Sequence, residues 1–355
     1  MMKQTHGGDW AGFLEQYGAR PLDFSANVSP LGLPEGVRAA AVRALDRAAL
    51  YPDPRCRALR RSLAAFHKVP AENIVCGNGA ADLIYRLCRL LRPHRALVTA
   101  PGFTEYERAL ESVGCSVKRF ALSESEGFRL SAGDFARAVT EGTELVFLCN
   151  PHNPTGLLLS KAELTLILDA CRAAGAVPVL DECFMDFVPE PEKYSMVGAL
   201  AARPELIILK AFTKTYGMAG LRLGYALCGD GDLAERLRQG DQPWPVSLIA
   251  QEAGIAALRE TEYADTLRSL IGRERERLCR GLEGLGLRVI PGGANFLLFY
   301  AEDAALCEKL RARGILLRDC GQMPGLRAGW LRTAVRAPEE NAVLLKAIGE
   351  VLERG

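Results

Sequence analysis

Short apolar runs alternate with stretches of helical periodicity between about residues 70 and 230. After the apolar run Asn73–Cys76, for example, Leu83, Leu87 and Leu91 recur at the spacing of one helix face. A capping box at Ser160–Glu163 predicts the start of another helix. This alternation predicts an α/β fold, in which helices cover both faces of a mostly parallel sheet. The strands predicted for the sheet are Asn73–Cys76, Ala96–Thr99, Leu145–Cys149, Val177–Leu180 and Leu206–Leu209.

The segments on either side of this region differ in character. The first 35 residues are rich in Gly, Pro and Asn without a clear period, which is typical of an extended arm. A long helical stretch over 247–285 precedes predicted strands at Phe296–Phe299 and Leu331–Val335. The expected boundaries are 1–45 for an arm that joins the small domain, 46–245 for a large domain and 246–355 for a small α+β domain.

Composition and charge exclude several classes of protein. Of the 355 residues, 49% are hydrophobic and 25% are charged, which excludes a disordered chain or a coiled coil. The net charge is +1, so the protein as a whole does not attract nucleic acid or an anionic membrane. No apolar run approaches the ~18 residues of a membrane span, and the first ten residues lack the apolar core of a signal peptide. We therefore expect a cytoplasmic enzyme with no nucleic-acid or membrane partner.

The cysteines and histidines predict neither disulfides nor a metal site. The 11 Cys are an odd number without a C-x-x-C pair, and several lie inside apolar runs. They are expected to be reduced, buried side chains. The four His are scattered without ligand spacing.

Polar motifs follow four of the predicted strands. The carboxyl ends of parallel strands meet at one edge of a sheet, so these motifs are expected around one cleft. Gly77–Asp82 lies between a strand and a helix, where glycines and free helix N–H groups suit a phosphate. Two alternatives for it are a plain turn and a dinucleotide-binding motif, but Asp82 stands where that motif needs its third glycine. Asn150–Gly156, with two Asn-Pro steps, is either a rigid functional loop or a structural turn.

The other two motifs supply an acid and an amine. Asp181 ends a buried strand and needs a partner, which could be a core cation or a protonated ring nitrogen. Lys214 follows the last apolar strand, between two threonines, and Arg222 lies eight residues further on. A desolvated lysine has a lowered pKa and reacts with carbonyls. Lys210 is the alternative, which we interpret as a strand-end charge because no hydroxyl or glycine surrounds it.

A phosphate site, an acid for a ring nitrogen and a carbonyl-reactive lysine together predict pyridoxal phosphate as the cofactor. In the same order, Asn153–Gly156, Asp181-Glu182, Thr213-Lys214 and Gly220–Gly224 resemble motifs of the fold-type I aminotransferases of classes I and II. The resemblance covers nearly the whole chain.

The resemblance implies a role for each matching residue. Lys214 would bind the cofactor covalently, Asp181 would pair with its ring nitrogen, and Asn153 would bind its ring hydroxyl. Phe103 would stack on the ring, with Tyr106 as a less favoured candidate. The remaining implied contacts are the cofactor phosphate for Ala80, Ala81, Thr213 and Arg222, the phosphate of the neighbouring subunit for Tyr51, and the substrate carboxylate for Arg332. The role of Tyr51 implies a homodimer with shared active sites.

Further motifs resemble threonine-phosphate decarboxylases of cobalamin synthesis, which are relatives of histidinol-phosphate aminotransferases. They include His6-Gly7-Gly8, residues 23–32 and Leu317–Cys320. By this resemblance Arg318 binds the phosphate of a small phosphorylated amino acid, and His6 and Asn27 lie at the substrate mouth. The implied reaction is decarboxylation of O-phospho-L-threonine to (R)-1-amino-2-propanol phosphate. The alternative is an aminotransferase acting on histidinol phosphate or a similar compound.

Phe184 departs from the transaminase pattern. Typical transaminases of this class carry a tyrosine three residues after the ring-nitrogen aspartate. The hydroxyl of that tyrosine donates a hydrogen bond, which phenylalanine cannot donate. Phe184 therefore favours the decarboxylase. Two further classes are disfavoured: a non-catalytic regulator that binds pyridoxal phosphate, because Lys214 is present, and a nicotinamide-dependent oxidoreductase, because of Asp82.

Overall fold

The computed structural model describes residues 7–240 and 242–353. The helices are Trp10–Tyr17 (α1), Glu35–Leu45 (α2), Arg57–His67 (α3), Ala80–Leu91 (α4), Thr104–Glu111 (α5), Ala132–Ala138 (α6), Lys161–Ala174 (α7), Phe212–Thr215 (α8), Gly231–Gln239 (α9), Leu248–Ala257 (α10), Thr261–Gly284 (α11), Leu306–Arg311 (α12) and Pro338–Leu352 (α13). The strands are Leu22–Asp23 (β1), Ile74–Gly77 (β2), Arg95–Ala100 (β3), Ser116–Ala121 (β4), Leu145–Cys149 (β5), Val177–Asp181 (β6), Ile207–Ala211 (β7), Gly224–Cys228 (β8), Arg288–Ile290 (β9), Phe296–Tyr300 (β10), Ile315–Leu316 (β11), Arg318–Asp319 (β12) and Trp330–Ala334 (β13).

A seven-stranded sheet forms the larger part of the molecule, with strand order β2-β8-β7-β6-β5-β3-β4. The strands are parallel except β8, which runs antiparallel to both β2 and β7. Apolar side chains pack on both faces of the sheet, which explains why its central strands are continuous apolar runs in the sequence. The predicted α/β fold with a mostly parallel sheet is confirmed.

A second, four-stranded antiparallel sheet has the order β12-β13-β10-β9. The N-terminal segment joins this side of the molecule, because β1 pairs in parallel with β11. The side chains of α11, α12 and α13 share one apolar core with β10 and β13. The domain boundaries at residues 45 and 245 stay a prediction.

The structure corrects two expectations about the elements. The N-terminal arm is not wholly extended, because Trp10–Tyr17 forms a helix that Asp9 caps by accepting a hydrogen bond from the Gly12 amide at 3.0 Å. Phe13 is the buried residue of this helix. The helix was not predicted because its apolar period is short and the surrounding segment is rich in Gly and Pro. The single helical stretch predicted over 247–285 is two helices, which break at residues 258–260.

The eleven cysteines are free thiols, and nine of them are buried, as the sequence predicts. Across residues 7–240 and 242–353, no helix has the length and apolar character needed to cross a membrane. The same ranges contain no cluster of metal-ligating side chains.

Candidate active site

A cavity of about 470 Å³ lies at the carboxyl ends of β5, β6 and β7. The parallel strands bring their following loops to this edge, where open α/β sheets bind their ligands. The structure therefore gathers here most of the residues that the sequence nominates. They are Asn27, Ala80, Ala81, Phe103, Asn153, Asp181, Thr213, Lys214, Arg222 and Arg332.

One wall of the cavity is suited to a phosphate group. The first turn of α4 presents the amides of Ala80 and Ala81. The residue before the helix is Gly79, so no N-cap side chain accepts a hydrogen bond from these amides. Gly79 has φ +83°, and a Cβ added to it would lie 2.8 Å from Nη2 of Arg222. A side chain at this position would strain the backbone and push the guanidinium away from the helix N-terminus. Free N–H groups, the helix dipole and a guanidinium together stabilise a bound phosphate.

Asp181 is held by hydrogen-bond donors instead of a cation. Tyr106 Oη donates to Asp181 Oδ2 at 2.6 Å, and the amide of Cys183 donates to Oδ1 at 2.9 Å. Within the described residues Asp181 makes no ion pair, whereas its neighbour Glu182 pairs with Lys210. Asp181 is buried at the cavity wall. Since a buried carboxylate needs a cationic partner, the arrangement suits a protonated ring nitrogen.

Tyr106 has a role that the sequence did not reveal. Its ring stacks on Phe147 at 4.8 Å between centroids and meets the ring of Phe103 edge-on at 5.3 Å. Burial and the Asp181 charge raise the pKa of Tyr106 well above its usual value, so its hydroxyl stays a donor. Tyr106 lies about one helical turn after Phe103, but nothing in the local pattern connects it with a residue 75 positions away.

Lys214 lines the cavity from the one-turn helix α8. Burial lowers its pKa to about 8, and the charges of Arg332 and Arg222 act in the same direction. Its Nζ lies 5.8 Å from the ring centroid of Phe184, which offers no hydrogen-bond donor. A lysine of lowered pKa has a larger neutral, nucleophilic fraction near neutral pH.

Lys210 has the opposite character. Its buried Nζ lies 3.5 Å from the buried Glu182 and 3.4 Å from the half-buried Asp186. Burial alone would lower its pKa, but these two carboxylates raise it. Lys210 is therefore a structural cation, which agrees with its interpretation as a strand-end charge.

Arg332 reaches the cavity from β13. Its Nη1 donates to Asn153 Oδ1 at 2.6 Å, and burial lowers its pKa to about 10. In the described part of the chain, Arg332 Nε and Asn27 Oδ1 are buried without a hydrogen-bond partner. A buried polar atom left unpaired is costly, so a ligand that supplies an acceptor and a donor would stabilise this wall.

Arg318 faces an adjoining cavity of about 340 Å³. The two cavities share Gly7 and Ser25 in their walls. Arg318 stands directly opposite Arg332 in the β12–β13 pairing. The two arginines therefore line adjoining cavities from directly opposite positions on neighbouring strands.

Two predicted residues lie outside this arrangement. Tyr51 is 77% exposed on the surface and stacks on Trp244 at 4.3 Å between ring centroids. It does not line either cavity. His6 lies outside the described residues.

These features fit pyridoxal phosphate. The helix N-terminus with Arg222 matches its phosphate, Asp181 its ring nitrogen, and Lys214 its carbonyl carbon. The unpartnered Asn27 and Arg332 atoms belong to two further residues that line the same cavity.

The chain is similar in sequence and in fold to known proteins over nearly its whole length. The profile of the family "Aminotransferase class I and II" matches residues 19–348. A threonine-phosphate decarboxylase of Salmonella typhimurium is 37% identical over 99% of this chain and 98% of its own. A histidinol-phosphate aminotransferase 2 of Archaeoglobus fulgidus is 34% identical over 93% of each chain. The crystal structure of the histidinol-phosphate aminotransferase from Clostridium acetobutylicum superposes with a TM-score of 0.87 and 28% identity, covering 94% of this chain and 99% of that one.

Proposed function

Because this chain belongs to the class I and II aminotransferase family, its cofactor is pyridoxal 5′-phosphate, and we propose that it decarboxylates O-phospho-L-threonine. The product is (R)-1-amino-2-propanol phosphate, and the pathway is cobalamin biosynthesis. The observation that carries this proposal is the pair Arg318 and Arg332, opposite each other on neighbouring strands at the walls of adjoining cavities. O-phospho-L-threonine carries a carboxylate and a phosphate on adjacent carbons, whereas histidinol phosphate has no carboxylate. Release of carbon dioxide from O-phospho-L-threonine is the experiment that tests it.

Different residues of the chain have different roles in this reaction. Bound pyridoxal phosphate supplies an electron sink for the pair left on the substrate Cα. Asp181 keeps the proton on the ring nitrogen, and the hydrogen bond from Tyr106 keeps the carboxylate in place. Arg332 orients the carboxylate that leaves as carbon dioxide, and Lys214 Nζ donates the proton that replaces it on Cα. Phe184 is consistent with this reaction, because it places no hydroxyl beside Lys214.

A second candidate is amino transfer from histidinol phosphate. Besides Arg318, the second cavity is lined by the carboxylates of Asp9, Glu308 and Asp319, which would suit an imidazolium ring. The 34% identity with the A. fulgidus aminotransferase also supports this candidate. It requires a 2-oxo acid as amino acceptor and releases no carbon dioxide.

Replacement of Arg318 should impair the reaction of a phosphorylated substrate much more than that of an unphosphorylated one. A guanidinium binds a phosphate bidentately, and lysine does not reproduce that geometry. Arg318→Lys should therefore lower kcat/KM for O-phospho-L-threonine by about 30-fold to several thousand-fold, the equivalent of roughly 2–5 kcal/mol. The much weaker reaction of L-threonine should barely change. Steady-state kinetics with both substrates measure the difference.

Arg311 provides the matched control. It lines the same cavity, but its Nη2 donates to Gln16 at 3.3 Å and its guanidinium lies over the Phe13 ring. Arg311→Lys should leave the discrimination between the two substrates unchanged. An equal loss on both substrates for Arg318→Lys would show that Arg318 is structural.

We infer further that the enzyme is a cytoplasmic homodimer in which Tyr51 reaches the cofactor phosphate of the neighbouring subunit. Tyr51 and Trp244 form an exposed aromatic stack away from their own cavity, as such a contact requires. The free thiols suit a reducing compartment. Tyr51→Phe should weaken cofactor retention. Mixing Tyr51→Phe subunits with Lys214→Ala subunits should raise activity above that of both parent variants, because each mixed dimer has one site with both native residues. No recovery above the two parent variants would place Tyr51 in its own site.

A further inference from the structure

The loop between β4 and α6 connects the two sheets. Residues 122–130, here called the bridging loop, leave the edge strand of the seven-stranded sheet and contact the four-stranded sheet. Glu124 in this loop accepts hydrogen bonds from Arg327 Nη2 at 2.9 Å, from Trp330 Nε1 at 3.1 Å and from Arg288. One carboxylate of the bridging loop thus binds three side chains on the far side of the cleft.

Aromatic rings hold these arginines in place. The Arg327 guanidinium lies 3.8 Å from the ring centroid of Tyr300, and that of Arg288 lies 4.8 Å from the ring centroid of Trp330. Isolated surface ion pairs contribute little, but a network with stacked arginines and an indole donor is geometrically fixed. Burial alone would raise the pKa of Glu124, but its hydrogen-bond donors lower it to about 2. The carboxylate therefore stays charged across the physiological range.

Beneath this polar contact, Phe128 forms an apolar one. Its side chain is buried and meets the Trp330 ring edge-on, at 5.1 Å between centroids. Its φ of +58° lies in the left-handed region, which a bulky residue keeps only where its surroundings fix it. The apolar cluster around it combines Leu122 of the same loop with residues of the other sheet and of the segment after β12. Those residues are Ile290, Leu298, Cys320, Met323 and Trp330.

The bridging loop contacts Trp330, which lies close in the strand to an arginine that faces a ligand cavity. Trp330 and Arg332 lie two residues apart on β13, and Arg318 pairs across from Arg332. Met323 of the same apolar cluster lines the cavity that Arg318 faces. Lys214 and Asp181, in contrast, belong to the seven-stranded side of the cleft. Contacts at Trp330 therefore connect the seven-stranded side of the cleft with the strand that carries Arg332, in addition to the direct hydrogen bond from Arg332 to Asn153.

We propose that Glu124 and Phe128 are positioning residues, which fix the substrate-binding arginines relative to the cofactor through Trp330. This inference rests on the proposed function only in that Arg318 and Arg332 bind the substrate. Neither Glu124 nor Phe128 lines either cavity. Their loss should therefore change substrate binding without releasing the cofactor.

The test compares Glu124→Ala with Glu205→Ala in the holoenzyme. Glu205 also binds two arginines, Arg172 at 3.0 Å and Arg203 at 3.6 Å, but all three lie on the seven-stranded side of the molecule. A misplaced binding group can cost up to about 100-fold, so Glu124→Ala should raise the KM for O-phospho-L-threonine between about 10- and 100-fold. The cofactor dissociation constant and the cofactor absorbance should stay at their wild-type values. Glu205→Ala should leave KM unchanged.

A second readout is independent of any substrate. Backbone amide exchange in residues 318–323 and 330–334 should be faster in Glu124→Ala than in Glu205→Ala, because the strands lose their anchor. Glu124→Gln keeps an acceptor and should recover part of both effects; it also serves as the test variant if Glu124→Ala does not fold. Unchanged exchange in these strands, or a loss of cofactor affinity matching the rise in KM, would overturn the proposal. If exchange rises while wild-type enzyme does not bind O-phospho-L-threonine, the proposed substrate is wrong but the role of the loop stands.

Discussion

Lys214→Ala should abolish both activity and the covalent attachment of the cofactor. Lys214 is the lysine in the cavity wall whose pKa is lowered, to about 8, by burial and by neighbouring arginines. Alanine leaves no amine to react with the cofactor carbonyl or to return a proton to the substrate Cα. Borohydride reduction followed by peptide mass analysis should locate the modified lysine at Lys214 in the parent enzyme and find none in the variant.

Lys210→Ala is the control for this experiment. It should keep the reducible linkage but lower thermal stability, because removing the cation leaves the buried Glu182 carboxylate, with the half-buried Asp186 carboxylate beside it, without a cationic partner. Retention of the linkage in Lys214→Ala together with its loss in Lys210→Ala would overturn the assignment.

The pH dependence of cofactor attachment reports the pKa of Lys214 directly. Only the neutral amine attacks a carbonyl, and the neutral fraction rises as pH rises through the pKa. The rate of attachment to the apoenzyme should therefore reach half of its maximum at about pH 8 and level off roughly one to two pH units higher. An ordinary lysine, with a pKa near 10.4, would give a rate that is still rising at pH 10.

Asp181→Asn should keep the cofactor but lose most turnover. The phosphate wall and Lys214 remain, so binding of the cofactor should be largely preserved. The amide cannot stabilise a protonated ring nitrogen, so the charge that develops at Cα loses its electron sink. Loss of one such electrostatic contact costs about 10²–10³-fold in kcat, which single-turnover kinetics would measure.

Tyr106→Phe provides a graded comparison for Asp181→Asn. It removes the 2.6 Å hydrogen bond to the carboxylate but leaves the negative charge in place. Its loss of turnover should be much smaller than that of Asp181→Asn. Turnover of Asp181→Asn within a few-fold of the parent enzyme would exclude the ring-nitrogen role of Asp181.

The sequence predicts which residues line the cavity where a polar residue comes directly after an apolar strand. Gly79, Asn153, Asp181 and Lys214 each come shortly after an apolar run, and a parallel sheet brings such positions to one edge. Lys210 differs because it lies inside β7, one residue before the strand ends. Its side chain pairs with Glu182 and Asp186 away from the cavity. Local pattern and sheet geometry are sufficient to predict that these cavity residues meet at one edge of the sheet, whereas their roles stay a prediction.

Contacts between distant segments were not predictable in the same way. The hydrogen bond between Tyr106 and Asp181 joins residues 75 positions apart, and that between Glu124 and Trp330 joins residues 206 apart. Neither pair has a spacing that a helix or strand period would reveal.

The antiparallel strand β8 was also not predicted. Its apolar run looks like that of a parallel strand, and its direction depends on the connection after α8.

The measurement that tests the central claim most directly is carbon dioxide release by the purified holoenzyme supplied with O-phospho-L-threonine. We predict one carbon dioxide and one 1-amino-2-propanol phosphate for each substrate consumed, without any 2-oxo acid. Histidinol phosphate with 2-oxoglutarate is the parallel assay for the second candidate. Formation of glutamate in that assay, with no carbon dioxide from O-phospho-L-threonine, would contradict the proposed function.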